Sequence, residues 1–225
     1  MSLSPFRRLV LSRASVRHYE EREIPDADIL AMVDSARRAP SAENAQPWRF
    51  VTVKSPAARE TLSRACFSGI FSPTRFAARA PLLVALCAER TGLVEAGKSI
   101  KDRAMYQLDC GIAGEHLVLQ AAELGLGTCW IGWFNRRTAR KALGVPWHVQ
   151  VVALIAVGYP RKANPPSTGV REYPLGPKAV PVRGIPRTSA RASPRRKPRN
   201  PLSSMLWLDS WGKSFPGAES YGDEK

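Results

Sequence analysis

Three short stretches carry side chains whose types and spacing suit ligand chemistry. Arg13, Ser15 and Arg17 stand at i, i+2 and i+4, and in an extended segment period-two geometry turns all three to one face. Two guanidinium groups and a hydroxyl so placed can grip one phosphate through charge-assisted, bidentate hydrogen bonds; the same triplet on a surface can also be merely solvated. Residues 39–48, APSAENAQPW, concentrate small residues, two prolines and two amide side chains. Asn and Gln each offer a donor and an acceptor, the equipment for reading a heterocycle. Pro40 and Pro47 stiffen the loop, so Ser41, Asn44 and Gln46 would be presented in a preset arrangement, with Trp48 as a core plug in the plainer reading. The third stretch, residues 125–135, GLGTCWIGWFN, places Gly132 where main chain can approach a flat ligand, between aromatic residues able to form an apolar wall. It is no dinucleotide fingerprint, because GxGxxG must open a helix after a strand, whereas this GLG follows a helix and precedes a strand.

The elements that must position these stretches are legible in outline. Residues 6–11 read as the end of a first short helix. Pro25, Asp26 and Asp28 open a second, with Ile29, Leu30, Val33 and Ala36 at helical spacing and an end near Arg38. Residues 49–53 and 82–87 read as strands, the second continuously apolar as a strand buried on both faces is, with helical sequence at 56–66 between them. Residues 99–124 predict the longest helix, with Leu108, Ile112 and Leu119 along one side and close approach of another helix expected at Gly111 and Gly114. Gly125 and Gly127 end it, 128–131 give a short strand, Asn135 caps a small helix that Gly144 and Pro146 terminate, and 149–157 form a further strand. Residues 201–208 read as a final helical element. Helices alternating with strands predict an α+β fold, an α/β sandwich with one mixed sheet flanked by helices.

The 225 residues are 44% hydrophobic, too apolar for a disordered chain, and no apolar run is long enough to cross a bilayer. Charge is unevenly placed. Of a net +15, most falls in residues 161–199, which hold eight prolines and the single acid Glu172, so neither helix nor central strand can run through them. This predicts an extended basic excursion: a solvated insertion, an arm across a partner subunit or anionic ligand, or, less in keeping with its one stacking aromatic Tyr173, a nucleic-acid arm. The four cysteines (Cys66, Cys87, Cys110, Cys129) lack CxxC spacing and lie in apolar surroundings, which predicts buried thiols in a reducing cytoplasm. The three histidines have no partner at metal-ligand spacing, and the N-terminus shows no secretory pattern. No metal site and no membrane association are expected.

Residues 12–19 (SRASVRHY), 40–48 (PSAENAQPW) and 125–132 (GLGTCWIG), in this order, resemble the FMN-dependent nitroreductase family, with a return of the likeness at 196–202 (RKPRNPL). The resemblance implies a core over residues 1–160, a Pro- and Arg-rich insertion over 161–195, and a C-terminal element over 196–225 that returns to the core or reaches the partner. It implies a homodimer with the long helix at its interface and two FMN sites. In those sites Arg13, Ser15 and Arg17 of one subunit hold the phosphate and ribityl chain. Pro40, Ser41, Ala42 and Asn44 of the other lie against the ring, with Gln46 in the same loop. The main chain at Ile131 and Gly132 faces the ring near N5, and Lys197 or Arg199 completes the phosphate site. It further implies hydride transfer from NAD(P)H to a nitroaromatic, quinone or similar acceptor with ping-pong kinetics and no catalytic side chain, Trp130, Trp133 and Phe134 being candidate pocket walls. Related reactions on the same frame are dehydrogenation, ene reduction and reductive dehalogenation; a non-catalytic flavin- or nucleic-acid-binding protein is the alternative of another class. Residues 72–75 carry no pattern that assigns ring contacts.

Overall fold

In the computed structural model, residues 4–89, 105–161 and 198–221 are described. Residues 1–161 and 199–225 form one compact unit; a second, 162–198, lies almost wholly outside the described residues. The order of elements is α1 (Pro5–Ser12), α2 (Asp26–Arg37), β1 (Trp48–Val53), α3 (Pro56–Cys66), β2 (Leu82–Glu89), α4 (Met105–Glu123), β3 (Gly127–Ile131), α5 (Arg136–Ala142), β4 (Val149–Gly158) and β5 (Leu206–Leu208).

Local chemistry sets these boundaries. Ser55 Oγ accepts the Ala58 N–H at 3.3 Å, and Pro56 occupies the first turn of α3, where its missing N–H costs nothing. Asn135 caps α5 in the same way through Thr138 N at 3.2 Å. Gly125, at φ 76°, reverses the chain after α4, and Leu126 N donates back to Ala121 O at 2.8 Å, closing the helix end.

The five strands form one mixed sheet in the order β3-β4-β2-β1-β5, with β5 parallel to β1 and every other pair antiparallel. Central β2 shows why its sequence is apolar throughout: Leu82, Val84, Leu86 and Ala88 face a core shared with α2 and α4, whereas Leu83, Ala85 and Cys87 face a second core shared with α3 and α5. The α+β sandwich expected from the alternation of elements is thus the observed architecture. All four cysteines are buried and none is in a disulfide. Burial pushes the Cys66 thiol up to about 12. Among the described residues no helix is long and apolar enough to cross a membrane.

Two expectations need correction, and a third lies partly outside the described residues. The helix predicted over 99–124 is described over Met105–Glu123, residues 99–104 lying outside the described residues. Its buried face is Asp109, Cys110, Ala113, Gly114, Leu117, Val118 and Ala121, while Leu108 is more than half exposed. Small residues face the sheet because they let the helix lie close to it. At Gly114 the close neighbour is accordingly not a helix: a Cβ there would stand 2.1 Å from Trp130 Cη2, and at Gly111 one would meet nothing. Finally, residues 201–208 are not one helical element. Leu202–Ser204 is a single 3-10 turn, after which Leu206–Leu208 pairs with Phe50–Thr52 as an edge strand, a long-range pairing that local pattern does not encode.

Candidate functional site

The Arg13–Arg17 segment is extended, the form in which its spacing would turn the three side chains to one face. Arg13 leaves α1 at φ −65°, ψ 125°, Val16 N donates to Thr128 O at 2.8 Å, and Ser15 bridges Thr128 in parallel. The segment therefore runs along the edge strand β3. Gly127 permits this contact, since a Cβ there would lie 2.5 Å from Val16 Cγ2. Both guanidinium groups act on one thiol: burial raises the Cys129 thiol, and Arg17 and then Arg13 pull it back down. The two cations thus share the β3 side. Arg17 also lies over the Phe76 ring, 5.7 Å from its centroid. Among the described residues no carboxylate pairs with either arginine, and Ser15 is exposed between them.

The loop before β1 is built differently. Glu43, Asn44 and Gln46 all adopt left-handed backbone, at φ 55°, 61° and 48°; each such non-glycine residue costs roughly 1–3 kcal/mol and persists only where its surroundings over-determine it. They do so here. Ser41 Oγ accepts Gln46 N at 3.0 Å, and Asp109 Oδ1, from buried α4, accepts Ala42 N at 3.1 Å. Gln46 Nε2 donates to Asn44 O at 3.3 Å, and Gln46 Oε1 accepts Asn200 N at 2.8 Å. Arg199 donates to Asn44 Oδ1 and, at 3.2 Å, to Arg38 O. Pro40 is exposed, Ser41 and Ala42 half-buried, and Trp48 wholly buried as the plug. Gln46 is buried with both ends of its amide engaged inside the chain, so it braces the loop.

Gly132 ends β3 in the open, with nothing within 4 Å of the position a Cβ would take, and Ile131 before it is buried. A planar ligand can lie against main chain there. Of the aromatics around it, Trp130 and Phe134 pack into the two cores, whereas Trp133 is half exposed, edge-on to Phe71 with ring centroids 5.9 Å apart. Thr74 Oγ1 donates to Trp133 O at 3.1 Å, fixing that wall. Gly132 and Thr128 are four residues apart on one edge strand, about 13 Å, so one elongated ligand can span from the two arginines to the open glycine.

Strand register separates the loop from this edge. Thr128 is level with Val157 and Leu82, whereas Pro47 is held by Glu89 N at 2.8 Å, seven residues further along β2. In one chain the two groups stand about 23 Å apart along the strands and about 19 Å across them. Arg199 goes with the loop, away from Arg13 and Arg17 of its own chain, and Lys197 lies outside the described residues. Sequence reading missed Asp109 and Asn200; the one visible signal was a carboxylate set between Leu108 and Cys110.

The chain is similar to known proteins. The sequence profile described as the Nitroreductase family matches residues 10–159. An Archaeoglobus fulgidus protein provisionally named NADH dehydrogenase/NAD(P)H nitroreductase is 33% identical over 158 residues, 68% of this chain and 84% of that protein. A 5,6-dimethylbenzimidazole synthase of Rhodospirillum rubrum is 30% identical, with 68% and 81% covered, and an iodotyrosine deiodinase of Thermotoga neapolitana is 27% identical, with 70% and 89% covered. Among solved structures, a nitroreductase family protein of Clostridium novyi NT superposes with a TM-score of 0.70 at 25% identity, covering 94% of this chain and 97% of that one. An FMN-dependent nitroreductase of Clostridium difficile R20291 gives 0.58 at 25% identity, with 69% and 88% covered. With the profile spanning the edge segment, the strained loop and the β3 glycine alike, the chain belongs to the nitroreductase family.

Proposed function

We propose that this nitroreductase-family oxidoreductase works as a homodimer that binds FMN at two shared sites and moves hydride from NAD(P)H to a nitroaromatic, quinone or similar small acceptor. The observation that carries the reading is the separation within one chain of two groups suited to one ligand: the cations of the β3 edge and the rigid loop before β1 sit at opposite corners of the sheet. Two copies related by a two-fold axis bring the edge of one to the loop of the other, twice. The surface supports such pairing. Helix α1 buries none of its residues, leaving Phe6, Val10 and Leu11 exposed, and α4 beside it exposes Met105 and Leu108. Apolar side chains grouped on two adjacent helices mark a surface to be covered.

The residues present fit FMN. Arg13 and Arg17, unpaired with any described carboxylate, hold the phosphate with Ser15; the space at Gly132 admits the ring; Pro40, Ser41, Ala42 and Asn44 of the second copy close over it, and Arg199 arrives with that loop. Bound there, the flavin supplies the hydride acceptor and donor that no side chain here provides. The chain's own part is positioning. The braced loop keeps its shape without rearrangement on binding, and Trp133 with Phe71 offers an apolar wall to a flat acceptor. Sequential occupation of one face by nucleotide and then acceptor gives ping-pong kinetics.

The test is direct. Purified protein absorbs in the flavin bands, releases FMN by mass on denaturation, runs as a dimer, and bleaches with NAD(P)H under anaerobic conditions. A colourless monomer that takes up no FMN refutes the reading. Turnover is compared across a nitroaromatic, a quinone and an iodinated phenol, since a synthase and a deiodinase stand among the relatives.

A further inference from the structure

We infer that the groove between α5 and the start of β4 is a nucleotide site that takes the adenosine 2′,5′-bisphosphate half of NADPH. The inference rests on the proposed oxidoreductase reading and assigns a part of the molecule outside the flavin site.

The groove has a volume of about 530 Å³ and is walled by Arg136, Arg137 and Arg140 on one side and by residues 147–151 on the other. That volume is in the range of small-molecule sites. On a helix, positions 136 and 140 and positions 137 and 140 are surface neighbours, so the three guanidinium groups belong to one side of α5. Among the described residues no carboxylate pairs with any of them. Arg136 donates weakly to Gly132 O and Val152 O, both at 3.4 Å, and Arg140 to Val145 O at 3.5 Å, which leaves most of their donors unused; Arg137 is exposed. Three uncompensated cations in one concave surface fit a ligand carrying more than one phosphate.

At the far end of the groove stands Trp147, 84% exposed, the most exposed large apolar side chain among the described residues. His148 packs against it in a T-shaped arrangement, with ring centroids 5.7 Å apart, while most of the indole stays accessible. An exposed indole face is a stacking surface for a purine. The order of parts along the groove also matches a dinucleotide. Arg136 touches Gly132, where the flavin ring is proposed to lie; Arg140 follows about 6 Å along the helix, and Trp147 lies beyond its C-terminal end. A nicotinamide at Gly132 would carry its phosphates over the arginines and its adenine to the tryptophan.

The experiment uses the full chain loaded with FMN and the probe 2′,5′-ADP, which carries no hydride, measured by titration calorimetry against AMP. The expected result is saturable, salt-sensitive binding of 2′,5′-ADP and at least about tenfold weaker binding of AMP, the loss expected for one phosphate's charge-assisted hydrogen bonds. Arg137→Ala and Trp147→Ala, both at exposed positions, each weaken 2′,5′-ADP about tenfold and raise the KM for NADPH, with FMN occupancy and kcat unchanged. No binding of 2′,5′-ADP, equal binding of AMP, or binding unmoved by both substitutions overturns the site. If 2′,5′-ADP binds through Arg137 and Trp147 while neither NADPH nor NADH is oxidised, the groove stands and the oxidoreductase reading falls.

Discussion

The β3 edge and the loop before β1 serve one candidate site by opposite means. Along the edge, Arg13 and Arg17 lie in relaxed extended backbone, exposed or half-exposed, with no described carboxylate beside them. Their hydrogen-bonding capacity remains for a ligand. In the loop, three left-handed non-glycine residues are pinned by Ser41, Asp109, Asn200 and Arg199, and Gln46 is wholly engaged inside the chain. One region contributes charge, the other shape. Substitutions of the edge arginines should therefore act on ligand affinity alone, whereas those in the loop should act on stability and affinity together.

The largest expected effect attacks the docking of the edge itself. Gly127→Val drives a branched side chain into Val16 and should lower stability by about 3 kcal/mol with loss of retained flavin; urea unfolding and flavin content measure both, and an unchanged denaturation midpoint would mean the segment docks elsewhere. Next, Arg13→Ala should weaken FMN by about 1.5–3 kcal/mol in fluorescence titrations while leaving the melting temperature of the flavin-free protein in place. A fall in melting temperature there would erase the contrast between the two regions. Asp109→Asn keeps the size of the brace but removes its charge, and should cost about 1 kcal/mol in unfolding free energy together with a smaller loss of flavin affinity; an effect on affinity without one on stability would place Asp109 at the ligand instead.

The smallest effect is read on a thiol. Burial raises Cys129 above its ordinary value and Arg17 and Arg13 oppose that rise, so removing either arginine moves its thiol further up. Alkylation by iodoacetamide, which follows the thiolate, should then shift to higher pH in Arg17→Ala than in the wild type. Cys66 and Cys110, both held near 12 by burial, should stay unmodified at pH 9 in the folded protein and serve as the control. A Cys129 profile that does not move would show that the guanidinium groups point away from the edge strand.

Much of the fold was written in local pattern. Ser55 with Pro56, Asn135 with Gly144, and the apolar run 82–87 declare their elements because caps and periodicity are properties of neighbours in the chain. The extended form of Arg13–Arg17 and the stiffness of 39–48 were legible for the same reason, although stiffness came from left-handed residues and distant braces as well as from Pro40 and Pro47. Which side of α4 faces the sheet was not legible. Leu108 is more than half exposed, whereas Cys110, Ala113, Gly114, Leu117 and Val118 turn inward, with Trp130 filling the space beside Gly114. The sheet partner of Leu206–Leu208 was equally hidden, since three apolar residues fit either a helix or a strand until β1 presents its free edge.

By itself, then, the order of residues determined most of the elements and singled out the candidate triplet and the candidate loop, because spacing fixes which side chains can share a face. Only the tertiary structure decided that Gln46 is a brace, that Asp109 and Asn200 hold the loop, and that the triplet and the loop of one chain occupy opposite corners of the sheet. Those outcomes depend on strand register and on contacts between residues more than sixty positions apart, and spacing along a chain carries no information about either.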